Sequence, residues 1–228
     1  MRKLILGLLT ALGVAYSGAD SYATTLADDI DVSAGVSVSN FTTDRGLATR
    51  EDSFGYSLTL GAPLSAGHLS FGVDLNDVDG DFEQDFAVTY SREIDLLGQK
   101  VGASVSFAGT DSSFGDREEI AAGVKYSHSL VDVDAAVWHE IENDWFGVEI
   151  GLSRAIAVPV DDLTVTPFAT INLADEYSAI EAGIKAGYKV SDQLSVSAKI
   201  SYNNNDFDGS SFGVEDEWIA GAGLKFDF

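Results

Sequence analysis

From Ile30 onward the chain alternates apolar and polar positions: Ile30, Val32, Ala34, Val36 and Val38 are separated by Asp31, Ser33, Gly35 and Ser37. Successive side chains of a strand point to opposite faces, so a period of two marks a strand with one apolar face. The pattern returns at Phe54–Leu60, Leu69–Leu75, Phe82–Tyr90, Val101–Phe107, Ile120–Tyr126, Val131–Val137, Phe146–Leu152, Leu163–Ile171, Ile180–Tyr188, Leu194–Tyr202 and Trp218–Phe228. About twelve strands follow, spaced about 17 residues apart. Their connections alternate. Those after even strands are mostly brief, such as Asp95–Gly98, His128-Ser129 and Ser191–Gln193, whereas Phe41–Asp52, Thr110–Glu118 and Asn203–Asp216 are longer, polar and rich in Asp, Asn and Gly.

The residues between the apolar positions decide what the apolar face touches. A soluble sandwich carries Lys, Glu, Thr and Arg on its open face. Here that face holds Gly35, Gly55, Gly72, Gly102, Gly123, Gly147, Gly151, Gly183, Gly187, Gly221 and Gly223, with Ser, Ala and Thr. Small residues suit a crowded concave interior, which turns the apolar face outward to lipid. Phe54, Phe107, Phe146, Tyr202 and Trp218 then fall near one rim, and Tyr90, Tyr126, Tyr188, Phe226 and Phe228 near the other, as two headgroup-level belts. The expected fold is all-β: a transmembrane antiparallel up-and-down barrel with short periplasmic turns and longer outer loops.

Composition refines this picture. Met1, Arg2 and Lys3 precede an apolar run from Leu4 to Val14, and Ser21-Tyr22-Ala23 places small residues where a signal peptidase inspects. Residues 1–23 read as a secretory signal and 24–228 as the barrel, destined for the outer membrane. Thirteen basic side chains against 37 acidic ones give a formal charge of −24, which excludes a role in coating nucleic acid. Cysteine is absent, so thiolate metal sites are excluded, and no motif calls for a cofactor.

The chain ends Gly223-Leu224-Lys225-Phe226-Asp227-Phe228. This resembles the C-terminal recognition strand of bacterial outer-membrane barrels, in which Gly223, Phe226 and Phe228 would be read by the outer-membrane assembly machinery. The segment from Asn40 to Val78, with Arg45-Gly46 after the first strand, resembles the N-terminal signature of the TorF-type porin family. That resemblance implies a Gram-negative, porin-like outer-membrane barrel.

Chemistry is then sought in the lumen. The inward positions include Asp74, Glu83, Asp85, Asp132, Asp134, Glu149 and Glu181, with Lys125, Lys185, Lys189, Lys199 and Lys225; Asp31, Glu140, Glu217 and Asp227 add further acids. Four of these five lysines fall on the last three strands, while strands 3, 4, 7 and 8 offer acids only. Strand 10 stands opposite strand 4 in a twelve-membered ring, so a basic wall would face an acidic one. Twelve strands close at roughly 24 Å across the backbone and leave a lumen on the order of 10 Å. The expected function is passive diffusion of small cations or other small polar solutes, with cations preferred. The alternative is a non-conducting structural or ligand-binding barrel acting through its outer loops.

Catalysis is disfavoured. His68 and His128 sit beside short turns, His139 faces lipid, Ser178 is three strands away from it, and no Gly-x-Ser-x-Gly elbow exists. Asn76–Gly80 and Asn205–Gly209 resemble calcium loops but lack the bidentate Glu six positions later, so they read as tight turns. Pro167 falls inside strand 9, where a closed barrel has no free edge, and predicts a bulge or a later strand start.

Overall fold

A computed structural model describes residues 30–228 apart from 45–46, 79–80, 112–116, 176 and 207–216. The expected signal peptide lies outside the described residues. Twelve antiparallel strands follow one another around one closed sheet. They are β1 (Asp31–Asp44), β2 (Leu47–Leu64), β3 (Gly67–Val78), β4 (Asp81–Leu96), β5 (Gln99–Asp111) and β6 (Arg117–Ser127). The second half comprises β7 (Asp132–Glu140), β8 (Trp145–Ser153, resuming at Ile156–Ala157), β9 (Leu163–Ala174), β10 (Ser178–Lys189), β11 (Leu194–Asn205) and β12 (Glu217–Asp227). Each strand pairs with its neighbours in sequence and β12 pairs back to β1, which removes both sheet edges. Followed once around the ring, the registers advance by about 16 residues, which for twelve strands corresponds to a tilt of about 45° and a backbone diameter of about 24 Å.

The alternation is realised as an inverted protein. Val38, Phe54, Leu58, Val105, Val124, Val137, Ile150, Ile171, Ile184, Ile200 and Leu224 are all exposed on one face of the sheet. A contiguous apolar surface of this kind is unstable in water and is satisfied by hydrocarbon. Outward rings pair at the outer rim, with Tyr202 against Trp218 at 5.4 Å and His139 stacked on Phe146 at 4.1 Å. At the opposite end Tyr126 lies 6.4 Å from His128.

The turn between β4 and β5 is a two-residue hairpin in which Leu97 and Gly98 have φ of 55° and 79°. Mirror-image turns need positive φ at both central positions. Asp95 supports this one by accepting the Gly98 N–H at 2.9 Å.

The closing seam ends in a side-chain clamp. Ladder pairing of β1 with β12 runs to Ser39 opposite Gly221. One residue on, the Asn40 carboxamide accepts the Ala220 N–H at 2.6 Å and donates to the Trp218 carbonyl at 2.8 Å. At the other end the Phe228 N–H donates to the Val32 carbonyl at 2.9 Å.

Two expectations are corrected. The long polar connection Phe41–Asp52 is largely ladder: β1 and β2 continue pairing from Phe41 opposite Glu51 to Asp44 opposite Leu47, with a register shift at Thr42/Thr43. Polar composition there marks a hairpin standing beyond the apolar band, since nothing outside lipid requires alternation. Around Pro167 neither a bulge nor a late start occurs. The register of β9 against β10 is unbroken through Pro167, and β8 is interrupted instead at Arg154 and Ala155. Pro167 turns its missing donor toward β8, where its carbonyl still accepts the Arg154 N–H at 3.2 Å. One absent ladder bond opens a gap of two residues without shifting the strands.

Candidate functional site

The lumen face combines a bare wall with charged ones. Gly35, Ser57, Gly221 and Gly223 occupy adjacent inward positions on β1, β2 and β12. They leave space between the charged ends of these strands, and the Asp74–Asp85 and Lys185–Lys199 pairs stand on other strands.

Asp74 and Asp85 are directly opposite each other on β3 and β4. Asp85 is fixed by two donors, Thr110 Oγ1 at 2.6 Å and Asn76 Nδ2 at 3.1 Å. Neither aspartate has a cationic partner among the described residues. Glu83 is buried at the outer end of the same strand, opposite Asn76.

Six strands away, Lys185 of β10 and Lys199 of β11 are also directly opposite each other. Two ammonium groups so placed repel, and two neighbours relieve them. Phe168 of β9 presents its ring to both, 4.6 Å from Lys185 Nζ and 5.4 Å from Lys199 Nζ. Glu181 forms an ion pair with Lys199 and accepts the Ser201 hydroxyl at 2.7 Å.

The other candidates do not join these walls. Lys125 pairs with Asp134 at 3.5 Å across β6 and β7. Lys189 pairs with Asp192 at 2.8 Å, and Lys225 with Asp227 at 2.7 Å. Both lie at the periplasmic mouth, so only two of the four lysines expected to form a basic wall stand at mid-height. In that mouth Lys189 holds the Asp192 carboxyl below its ordinary range by a hydrogen bond and its charge. Asp132 sits at the periplasmic end of β7 between Ser127 and Ser153, while Glu149 of β8 is flanked by Ala136 and Asn172. A cavity of about 560 Å³ runs along this wall from His68 to Glu149, past Glu93, Ser104, Lys125 and Asp134.

The outer half of the lumen is packed differently. Trp138, on the inward face of β7, is 3% exposed and clusters with Ala121, Ala179 and Tyr177, which comes from the β9–β10 connection. Trp145 lies 6.5 Å from the Tyr177 ring. Gly147 is directly opposite Trp138, and a β-carbon on Gly147 would strike the indole, so the missing side chain is what lets the ring lie across the barrel wall. The connection is tied down by Asp175, whose carboxylate accepts the Phe146 N–H at 3.0 Å. Beyond it Asp206 takes the Ser178 N–H, which holds that carboxyl below its ordinary range.

Trp138, Phe168, Asn172 and Tyr177 were not among the sequence candidates. Parity alone places the first three inward, in step with Asp134, Thr166 and Thr170. Large residues on a small-residue face are a readable signal. Gly223 stands between Ser37 and Ser197, and Phe226 between Ala34 and Leu194.

No family profile matches the chain, and no curated protein matches it. Solved structures do. A KdgM porin in complex with disordered oligogalacturonate superposes with a TM-score of 0.55 at 10% identity, over 87% of this chain and 99% of that one. A KdgM porin gives 0.56 at 10% identity, with 87% and 99% covered. A NanC porin gives 0.55 at 12% identity, with 87% and 100% covered. The fold is thus that of twelve-stranded porin-type barrels.

Proposed function

We propose that the chain is a passive outer-membrane channel for small polar solutes with a preference for cations. The observation that carries this reading is the pair Asp74 and Asp85, inward, adjacent and without a cationic partner among the described residues, set against lysines that are compensated by Phe168 and Glu181. A charge about 6 Å from a permeating ion in water-like surroundings contributes about 0.7 kcal/mol. Two such charges favour a cation about tenfold and disfavour an anion about tenfold at low salt, a bias of about a hundredfold between them.

Reversal potentials of the refolded mature chain in planar bilayers under a potassium chloride gradient test this. Discrete steps with cation selectivity are expected, and Asp74→Asn with Asp85→Asn is expected to remove most of the selectivity. Anion selectivity, or no change in the double variant, overturns the preference. The packed outer half around Trp138 and Tyr177 favours the second reading, a non-conducting barrel, and absence of steps from the wild type decides for it.

Membership of the TorF-type family is the corresponding inference for descent, resting on the segment from Asn40 to Val78. Delivery by the outer-membrane assembly machinery rests on Gly223, Phe226 and Phe228. Deleting Phe228 removes the terminal aromatic and the bond to Val32. The variant is expected to lose most of the heat-modifiable, membrane-inserted band in envelope fractions while still refolding in detergent micelles. Undiminished insertion in cells counts against a recognition role.

A further inference from the structure

The wall formed by β6 and β7 carries an ion pair unlike the other lysine pairs of the barrel. Lys125 and Asp134 are directly opposite each other, and their charged atoms stand 3.5 Å apart, beyond the range of a good hydrogen bond. Lys100 with Glu93 at 2.8 Å, Lys189 with Asp192 at 2.8 Å and Lys225 with Asp227 at 2.7 Å are closed contacts. The loose pair is also open, with Lys125 64% and Asp134 47% exposed. Small neighbours keep it so. Gly102 and Gly151 flank the two residues on the adjoining strands, and Gly123 and Ala136 stand two positions nearer the outer end. A β-carbon on Gly102 would make only ordinary contact, with Lys125 Cβ at 3.6 Å and the Lys125 carbonyl at 3.7 Å, so backbone crowding does not explain that glycine. Gly102, Gly123 and Ala136 border the cavity of about 560 Å³ together with Lys125 and Asp134. Two more acids border it, but Glu93 is taken by Lys100 and Glu149 is already engaged.

A solute with a single charge gains little at such a pair, because whichever member attracts it, the other repels it from nearly the same distance. A solute with both charges close together is treated differently. Its carboxylate can face Lys125 while its ammonium faces Asp134, so that the four charges alternate in a square. The wall pair then stays intact, since an ammonium has three donors and a carboxylate about four acceptor positions, more than their mutual contact uses. An α-amino acid bears its ammonium and its carboxylate on one carbon and has the required spacing. We propose that Lys125 and Asp134 form a binding station for the zwitterionic head of a free amino acid. The station deepens the channel reading and rests on it for its physiological meaning, because it names a class of solute for the diffusion path. Such a solute carries no net charge, so the aspartates at positions 74 and 85 do not turn it away.

The free amino acid alanine serves as the probe, with methylammonium and acetate, which each carry one of its charges, as controls. Calorimetry on the refolded barrel in neutral detergent micelles is expected to show alanine binding about tenfold tighter than either control, the usual worth of a second charge-assisted hydrogen bond. Lys125→Met is expected to reverse that order, weakening alanine about tenfold and letting methylammonium bind at the bared Asp134. Exchanging the charges, Lys125→Asp with Asp134→Lys, is expected to restore the preference for alanine. Thermal melts of the Lys125→Met barrel are expected to stay close to the wild type, because an ion pair this exposed adds little to stability; this separates loss of binding from loss of fold. Equal affinity for the three probes, or unchanged alanine binding in Lys125→Met, overturns the proposal. In bilayers alanine is expected to interrupt the potassium current of the wild type. Alanine binding without any potassium current leaves the station standing and removes the channel reading, whereas current without alanine binding does the reverse.

Discussion

Gly183→Ala is expected to destabilise the barrel by about 2 kcal/mol, and Gly183→Val by more, through overpacking at a point where backbone cannot give way. Gly183 is directly opposite Ser201, and a β-carbon there would fall on the Ile200 carbonyl and on Cα and Cβ of Ser201. Relief requires β10 and β11 to part, which also separates Ser201 from Glu181. Gly187, four residues further along the same face, has nothing within 4 Å of the equivalent position. Gly187→Ala is expected to be neutral or stabilising by about 0.5 kcal/mol, through the restricted unfolded chain. Urea-induced unfolding of the two alanine variants in micelles compares like with like. Equal midpoints for Gly183→Ala and Gly187→Ala would falsify the account.

Lys199→Met is expected to cost about 2–3 kcal/mol, because it takes the cation away from a largely buried carboxylate. Glu181 is 7% exposed, and it also accepts the Ser201 hydroxyl at 2.7 Å. The long apolar stem of methionine preserves contact with the Phe168 ring, so the loss reads charge rather than packing. Combining Lys199→Met with Glu181→Gln is expected to recover most of the loss, because the buried negative charge is gone. A double variant no more stable than Lys199→Met would place the energy in the lysine itself. Lys185→Met provides the contrast, because it relieves the repulsion from Lys199 while giving up one cation–π contact. Its effect is expected to be about 1 kcal/mol or less.

The strands were legible from Val36, Val38 and their counterparts because a bilayer enforces period two over the whole apolar band. Where lipid ends, that constraint ends. The ladder continues at Thr42 and Thr43 with no periodic mark, so the sequence suggested a loop. Pro167 marks a missing ladder donor but neither the bulge nor the late start its position suggests, because which neighbouring strand absorbs it depends on which side its nitrogen faces. That is fixed by the register with Arg154.

In the lumen the same division holds. Parity placed Asp74, Asp85, Lys185 and Lys199 on the inner face. It did not reveal that the two aspartates are neighbours and the two lysines are neighbours, since those contacts join different strands. Nor did it reveal that Lys125, Lys189 and Lys225 are each spoken for by a nearby aspartate.

By itself the sequence determined that this chain is an inside-out β-barrel with a polar, acidic interior, because alternation and the choice of small residues between apolar ones are properties of each strand alone. Tertiary structure decided which charges remain uncompensated and where the aromatic rings close in. Those are settled by register and closure, and a stagger of about 16 residues around the ring brings together side chains whose proximity no single strand encodes.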